Sequence, residues 1–129
     1  MIRAAPSLHS VYDRCGGFAA VSGVVMTFYE HVLDSDRIGR FFEDVDMPKL
    51  IDHQTRFIAH IMGGPTDFAA ARLERAHRRL GIDDGDVDEI KRLLDRAMRD
   101  HGLAAEDRAV VLAAVEAHRS LVVAPEGRS

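Results

Sequence analysis

The chain is predicted to be all-α. Apolar residues recur at intervals of three and four in each long segment, no stretch shows the period-two alternation of a half-buried strand, and Gly, Pro and Asp residues punctuate the segments where helices would start and stop. No internal repeat is apparent.

A short helix is expected near Leu8 to Arg14, stopped by Gly16 and Gly17. From Phe18 to Leu33 the residues Val21, Val24, Val25, Phe28, Val32 and Leu33 line one helical stripe. Asp34, Ser35 and Asp36 then offer caps for a short helical turn carrying Ile38, Phe41 and Phe42. Asp46 caps the next helix and Pro48 suits its first turn. Leu50, Ile51, Phe57, Ile58, Ile61 and Met62 form its apolar face, and Gly63-Gly64-Pro65 ends it. The pattern is indistinct from Thr66 to Ala71, after which Leu73, Ala76, His77 and Leu80 predict a short helix ended by Gly81. Asp83 or Asp84 caps a helix bearing Val87, Ile90, Leu93, Leu94, Ala97 and Met98, which stops before Gly102. The last helix runs from about Ala105 to Val123, with Val110, Val111, Ala114, Val115, His118 and Leu121 on its apolar side, and a frayed tail is expected over about 124–129. Four long helices and several short ones suit a bundle or a layered sandwich, topologies that propensity does not separate.

At 129 residues, with 47% apolar and 29% charged residues and four prolines, one globular domain with one core is expected over 1–129. The net charge of -4, with Lys and Arg scattered, offers no field for a phosphate backbone, so nucleic acid is not an expected partner. Apolar runs such as Val21 to Met26 and Leu121 to Ala124 fall far short of the roughly 20 residues that span a bilayer. The N-terminus lacks the apolar run and cleavage site of a secretory signal, which makes the cytoplasm the default expectation. Cys15 is the sole cysteine, which excludes an internal disulfide and a cysteine-cluster metal site; it reads as a small buried hydrophobe. His9, His31, His53, His60, His77, His101 and His118 form no compact zinc-type set, and no phosphate loop, nucleophile elbow or framed carboxylate pair is present.

The chemistry therefore rests on histidine and on polar residues at apolar positions. His77 lies on an apolar helical face, where a satisfied core histidine and a metal ligand are both open. Haem iron needs one neutral imidazole on its proximal side and controlled polarity opposite. Tyr29 follows Phe28 in the stripe of the second helix, and Gln54 stands four from Leu50 and four from Ile58 in the core stripe of its helix. A buried phenol or amide without a partner costs about 1–3 kcal/mol, so the pair asks for a polar guest, although each alone could be a boundary or solvated-edge residue.

Phe28-Tyr29, Phe41-Phe42, His53-Gln54, Gly63-Gly64-Pro65 and Ala76-His77 occur in the order and approximate spacing of the group I truncated haemoglobins. Val11-Tyr12-Asp13-Arg14 before Gly16-Gly17 resembles that family's opening motif, and Glu43-Asp44-Val45-Asp46-Met47 resembles its entry to the distal helix. The resemblance covers about residues 8 to 122. It implies a truncated globin-like two-over-two helical sandwich around haem b, with His77 as proximal ligand, Phe42 packed on the porphyrin, and Tyr29 and Gln54 distal. Leu50 would line the distal pocket at a position that is polar in some members, leaving Tyr29 and Gln54 as the main donors. Phe57, Ile58, Ile61 and Leu73 would be apolar haem contacts or plain core.

Cyanobacterial members carry a histidine immediately before the matching glutamine, where it can bind iron as a sixth ligand, and the resemblance implies the same option here for His53. It lies at the edge of the apolar stripe, where a solvent-edge histidine or a partner of a haem propionate are the other readings. A late histidine that attaches to a haem vinyl group in those relatives matches His118 imperfectly, falling about one turn later, near Leu121. A core or haem-edge role is the expectation for His118. The family's aromatic, Ser or Thr, and Gly run before the proximal helix is here Phe68-Ala69-Ala70-Ala71, so a more helical loop is expected.

The function implied is reversible binding of O2, and of NO or CO, at haem iron, with hydrogen bonds from Tyr29 and Gln54 slowing ligand loss. The alternative is an enzyme on the same haem, a nitric oxide dioxygenase or a peroxidase, served by a separate reductase. A haem-free helical interaction module is the bland third reading. A monomer or weak dimer is expected.

Overall fold

The computed structural model describes residues 10–64 and 82–117 together with Arg119. These residues form α1 (Val11–Cys15), α2 (Phe18–Leu33), a 3-10 turn (Gly39–Phe42), α3 (Met47–Ile61), α4 (Asp84–Asp100) and α5 (Ala105–Ala117). Among the described residues there is no strand, as the absence of period-two alternation predicts. The segment expected to form a short helix with Leu73 and His77, and the positions of His118 and Leu121, lie outside the described residues.

Capping chemistry sets the helix boundaries. The first described helix starts at Val11, because Ser10 has extended backbone angles and its hydroxyl accepts the Asp13 N–H at 3.2 Å; the expected start near Leu8 lies outside the described residues. The second helix matches its predicted range of Phe18–Leu33. Ser35 is the effective cap of the next turn, its hydroxyl accepting the Ile38 N–H at 3.3 Å, but the turn after it is a 3-10 segment. Asp46 caps α3 by accepting the Lys49 N–H at 3.2 Å, with Pro48 in the first turn. Between the two candidates for α4, Asp83 is the cap. Its carboxylate accepts the Asp86 N–H at 2.8 Å while Asp86 accepts the Asp83 N–H at 3.1 Å, a reciprocal capping box.

Helices α2 and α3 pack side by side as one layer, α4 and α5 as the other; α2 crosses onto α4 and α3 onto α5. The core runs between them through Val21, Val24, Val25, Phe28 and Val32 of α2, Phe57 and Ile58 of α3, Leu93, Leu94 and Met98 of α4, and Val111 of α5. Burying each of these larger side chains contributes about 1.5–3 kcal/mol relative to exposure. Two stripe residues face outward instead. Leu33 is 52% exposed and Val110 is 50% exposed, because neighbours on a helix diverge by about 100° and Val32 and Val111 take the inward position at both sites.

The end of α3 is tied to α1. The Tyr12 N–H donates to the Met62 carbonyl at 3.0 Å, and the Tyr12 ring lies so close to Gly64 that a Cβ there would sit 2.6 Å from it. Only glycine lets the chain leave α3 beneath that ring. Cys15 is half-buried, less enclosed than expected, and its thiol donates to the Tyr12 carbonyl at 3.3 Å. No described helix is long and apolar enough to cross a membrane.

Candidate functional site

Helices α2 and α3, which pack on each other, each carry one of the polar residues singled out from the sequence. Tyr29 lies on the inward side of α2 between Phe28 and Val32 and is only 6% exposed. Its ring meets Phe28 edge-on, with centroids 4.8 Å apart, and meets Phe42 of the 3-10 turn in the same manner at 5.7 Å. Burial pushes the Tyr29 phenol well above its ordinary pKa, so it remains a neutral O–H donor at physiological pH.

Gln54 is 8% exposed on α3, so the solvated-edge alternative is excluded. It sits one turn beyond half-buried Leu50 and one turn before buried Ile58, with buried Phe57 on the same side. Neither the Tyr29 hydroxyl nor the Gln54 side-chain amide has a hydrogen-bond partner among the described residues, whereas Thr55, buried beside Gln54, returns its hydroxyl to the Ile51 carbonyl at 2.7 Å. Two buried polar side chains thus retain three donor hydrogens and their acceptors for a partner beyond these helices. His53 is half-buried directly before Gln54.

A haem group fits these residues. Phe42 and Leu50 supply half-buried apolar surface at the margin of the core, Phe57 and Ile58 extend it, and the orphaned phenol on α2 and amide on α3 supply buried polar groups. Two expected contacts, Leu73 and His77, fall outside the described residues, as does His118. Among the described residues no group of three or more His, Cys, Asp or Glu side chains could hold a bare metal ion.

Sequence reasoning did not find the two buried carboxylates. Asp86 is 2% exposed and bonded by Arg37; Asp107 is 8% exposed and bonded by Arg14 at 2.6 Å. The Asp83–Asp86 spacing is a legible capping signal, but their arginine partners are far away in sequence and no local pattern marks them. Two further histidines join helices: His31 Nε2 lies 3.2 Å from Asp100, and His101 Nε2 lies 2.8 Å from the Thr27 hydroxyl, so both serve the packing of α2 on α4.

The bacterial-like globin profile matches residues 10–123. A group 1 truncated hemoglobin of Synechocystis is 34% identical over 112 residues, covering 84% of this chain and 90% of that protein. One from Tetrahymena pyriformis is 28% identical over 94 residues, covering 73% of this chain and 78% of that protein. The crystal structure of the 2/2 hemoglobin from Synechococcus, in the cyanomet state and with covalently attached heme, superposes with a TM-score of 0.82 at 32% identity, covering 88% of this chain and 98% of that one. The Fe(III) form of the Tetrahymena pyriformis protein gives a TM-score of 0.83 at 24% identity, covering 89% and 98%, which speaks to the fold alone. With the expected motifs in place, the two-layer helical fold observed and the match spanning nearly the whole chain, this protein belongs to the bacterial-like globins and, within them, to the group 1 truncated haemoglobins.

Proposed function

We propose that residues 1–129 form a single-domain haem b protein that reversibly binds O2, and also NO and CO, beside Tyr29 and Gln54, with His77 as the residue that would hold the iron. The carrying observation is the pair of buried polar side chains left without partners among the described residues. When bound, haem supplies an iron that takes a diatomic ligand reversibly. The chain supplies the rest. Tyr29, held neutral by burial, would donate a hydrogen bond from its hydroxyl to the bound gas, Gln54 would donate one from its amide, and Phe42, Leu50, Phe57 and Ile58 would keep water away. The assignment of His77 rests on the Ala76-His77 motif in its place after Gly63-Gly64-Pro65.

His53, adjoining Gln54 on α3, would serve as a second iron ligand that competes with the gas, so that apparent affinity would be lowered by the fraction of protein in the open state. A separate reductase keeps the iron ferrous, and the protein works as a monomer or weak dimer. The deciding experiment is an absorption spectrum of the purified, haem-supplemented protein, ferric and then ferrous. Haem retained by the native chain and lost in His77→Ala is the expected result, with a low-spin spectrum that turns high-spin in His53→Ala. A native chain that retains no haem overturns the reading.

A further inference from the structure

The 3-10 turn that presents Phe42 to Tyr29 has no side-chain cap of its own. Turns of this kind are short and poorly bonded, so something else must fix its place. It is held from the start of α4. Arg37 Nε donates to Asp86 at 2.7 Å and its Nη2 donates to Asp83 at 3.1 Å, while the Ser35 hydroxyl donates to Glu89 at 3.0 Å. Phe41 adds an apolar contact to buried Ile82 and Val87, and the Arg40 guanidinium covers the Phe41 ring at 4.3 Å.

The placement of Arg37 is specific. A cation at a helix N-terminus opposes the helix dipole, so only the carboxylates can account for its position. The Asp86 side chain is 3% exposed and both its oxygens are used, one by Arg37 and the other by the Asp83 N–H. Gly85 lies directly against the Arg37 guanidinium, where a Cβ would require the guanidinium to shift. Glu89 is held below its usual pKa chiefly by Arg92, with Ser35 contributing.

We propose that Arg37 is a positioning residue for haem: by locking the Ser35–Phe42 turn to the start of α4 it sets Phe42 as the wall of the haem site. This role presupposes the haem-binding reading. A merely structural ion pair has a ready comparison in Arg14–Asp107, which likewise joins a half-exposed arginine to a buried carboxylate but ties α1 to α5.

The test measures haemin release from the haem-loaded full chain to an excess of an apoglobin acceptor, alongside thermal midpoints, for the native protein, Arg37→Ala, Arg37→Lys and Arg14→Ala. Arg37→Ala is expected to speed release on the order of tenfold. Arg37→Lys, which keeps the charge but not the two-pronged grip, falls between it and the native protein. Arg14→Ala lowers the midpoint without changing release. Native release from Arg37→Ala, or equal acceleration in Arg14→Ala, overturns the proposal. Should Arg37→Ala not fold, native release from Arg37→Lys overturns it and intermediate release supports it. A native chain that takes up no haem sinks the underlying reading, an outcome distinct from a native chain that binds haem and is indifferent to Arg37.

Discussion

Tyr29 and Gln54 each break the apolar pattern of a helix, and that break is legible in the sequence; that both are enclosed, with no partner among the described residues, is not. A hydrogen bond from a neutral donor to a ligand carrying negative charge contributes about 1.5–3 kcal/mol, so Tyr29→Phe is expected to raise the O2 dissociation rate by roughly 10- to 100-fold in a stopped-flow measurement. Gln54→Leu should raise it less, since the phenol remains, and an unchanged rate in both variants would remove these residues from the ligand's surroundings. Tyr29 also has a pH signature. Its folded pKa is raised by burial, so below about pH 10 both folded and unfolded chains keep the proton and the residue adds no pH dependence. Above that value the unfolded chain releases its proton first, and stability falls as pH rises. Urea midpoints taken up to about pH 11 should decline less steeply in Tyr29→Phe than in the native protein.

At the scale of the element, caps and glycine stops were readable because they act within four residues. Asp46 and the range Phe18–Leu33 followed from local rules, and the same rules narrowed the α4 cap to Asp83 or Asp84, of which the structure uses Asp83. Which of two adjacent valines or leucines turns inward depends on the neighbouring helix, hence the outward Leu33 and Val110. The passage of Gly64 beneath Tyr12 is likewise a tertiary fact. Gly64→Ala forces that ring aside and should cost about 1–3 kcal/mol in chemical denaturation, with much of the loss recovered when Tyr12→Ala is added. Additive losses would show that the ring is not what the methyl meets. Further along, Arg119 of the last described turn bonds Glu116, Asp88 and Asp84, joining α5 to the start of α4. Arg119, and secondarily Lys91, hold the Glu116 carboxyl down to about 2. That contribution is complete above the ordinary glutamate pKa and is lost as pH falls toward about 2. Arg119→Ala should therefore flatten the acid limb of stability against pH, read from urea midpoints.

For the whole molecule, haem uptake and folding are linked. A group that binds the folded chain at 100 times its Kd adds about 2.7 kcal/mol, so haem at that ratio should raise the thermal midpoint by roughly 10 °C. An unchanged midpoint would mean that haem does not select this fold. The helical class, most helix boundaries and the family were legible in the order of amino acids, because periodicity, capping and motif succession are properties of neighbouring residues or of their sequence along the chain. Packing settled the rest: Tyr29 and Gln54 are both buried without partners among the described residues, Asp86 and Asp107 are buried because Arg37 and Arg14 meet them, and Phe42 is held on Tyr29 from across the fold. Desolvation and long-range ion pairing depend on which surfaces meet, and no spacing along one chain segment records what packs against it.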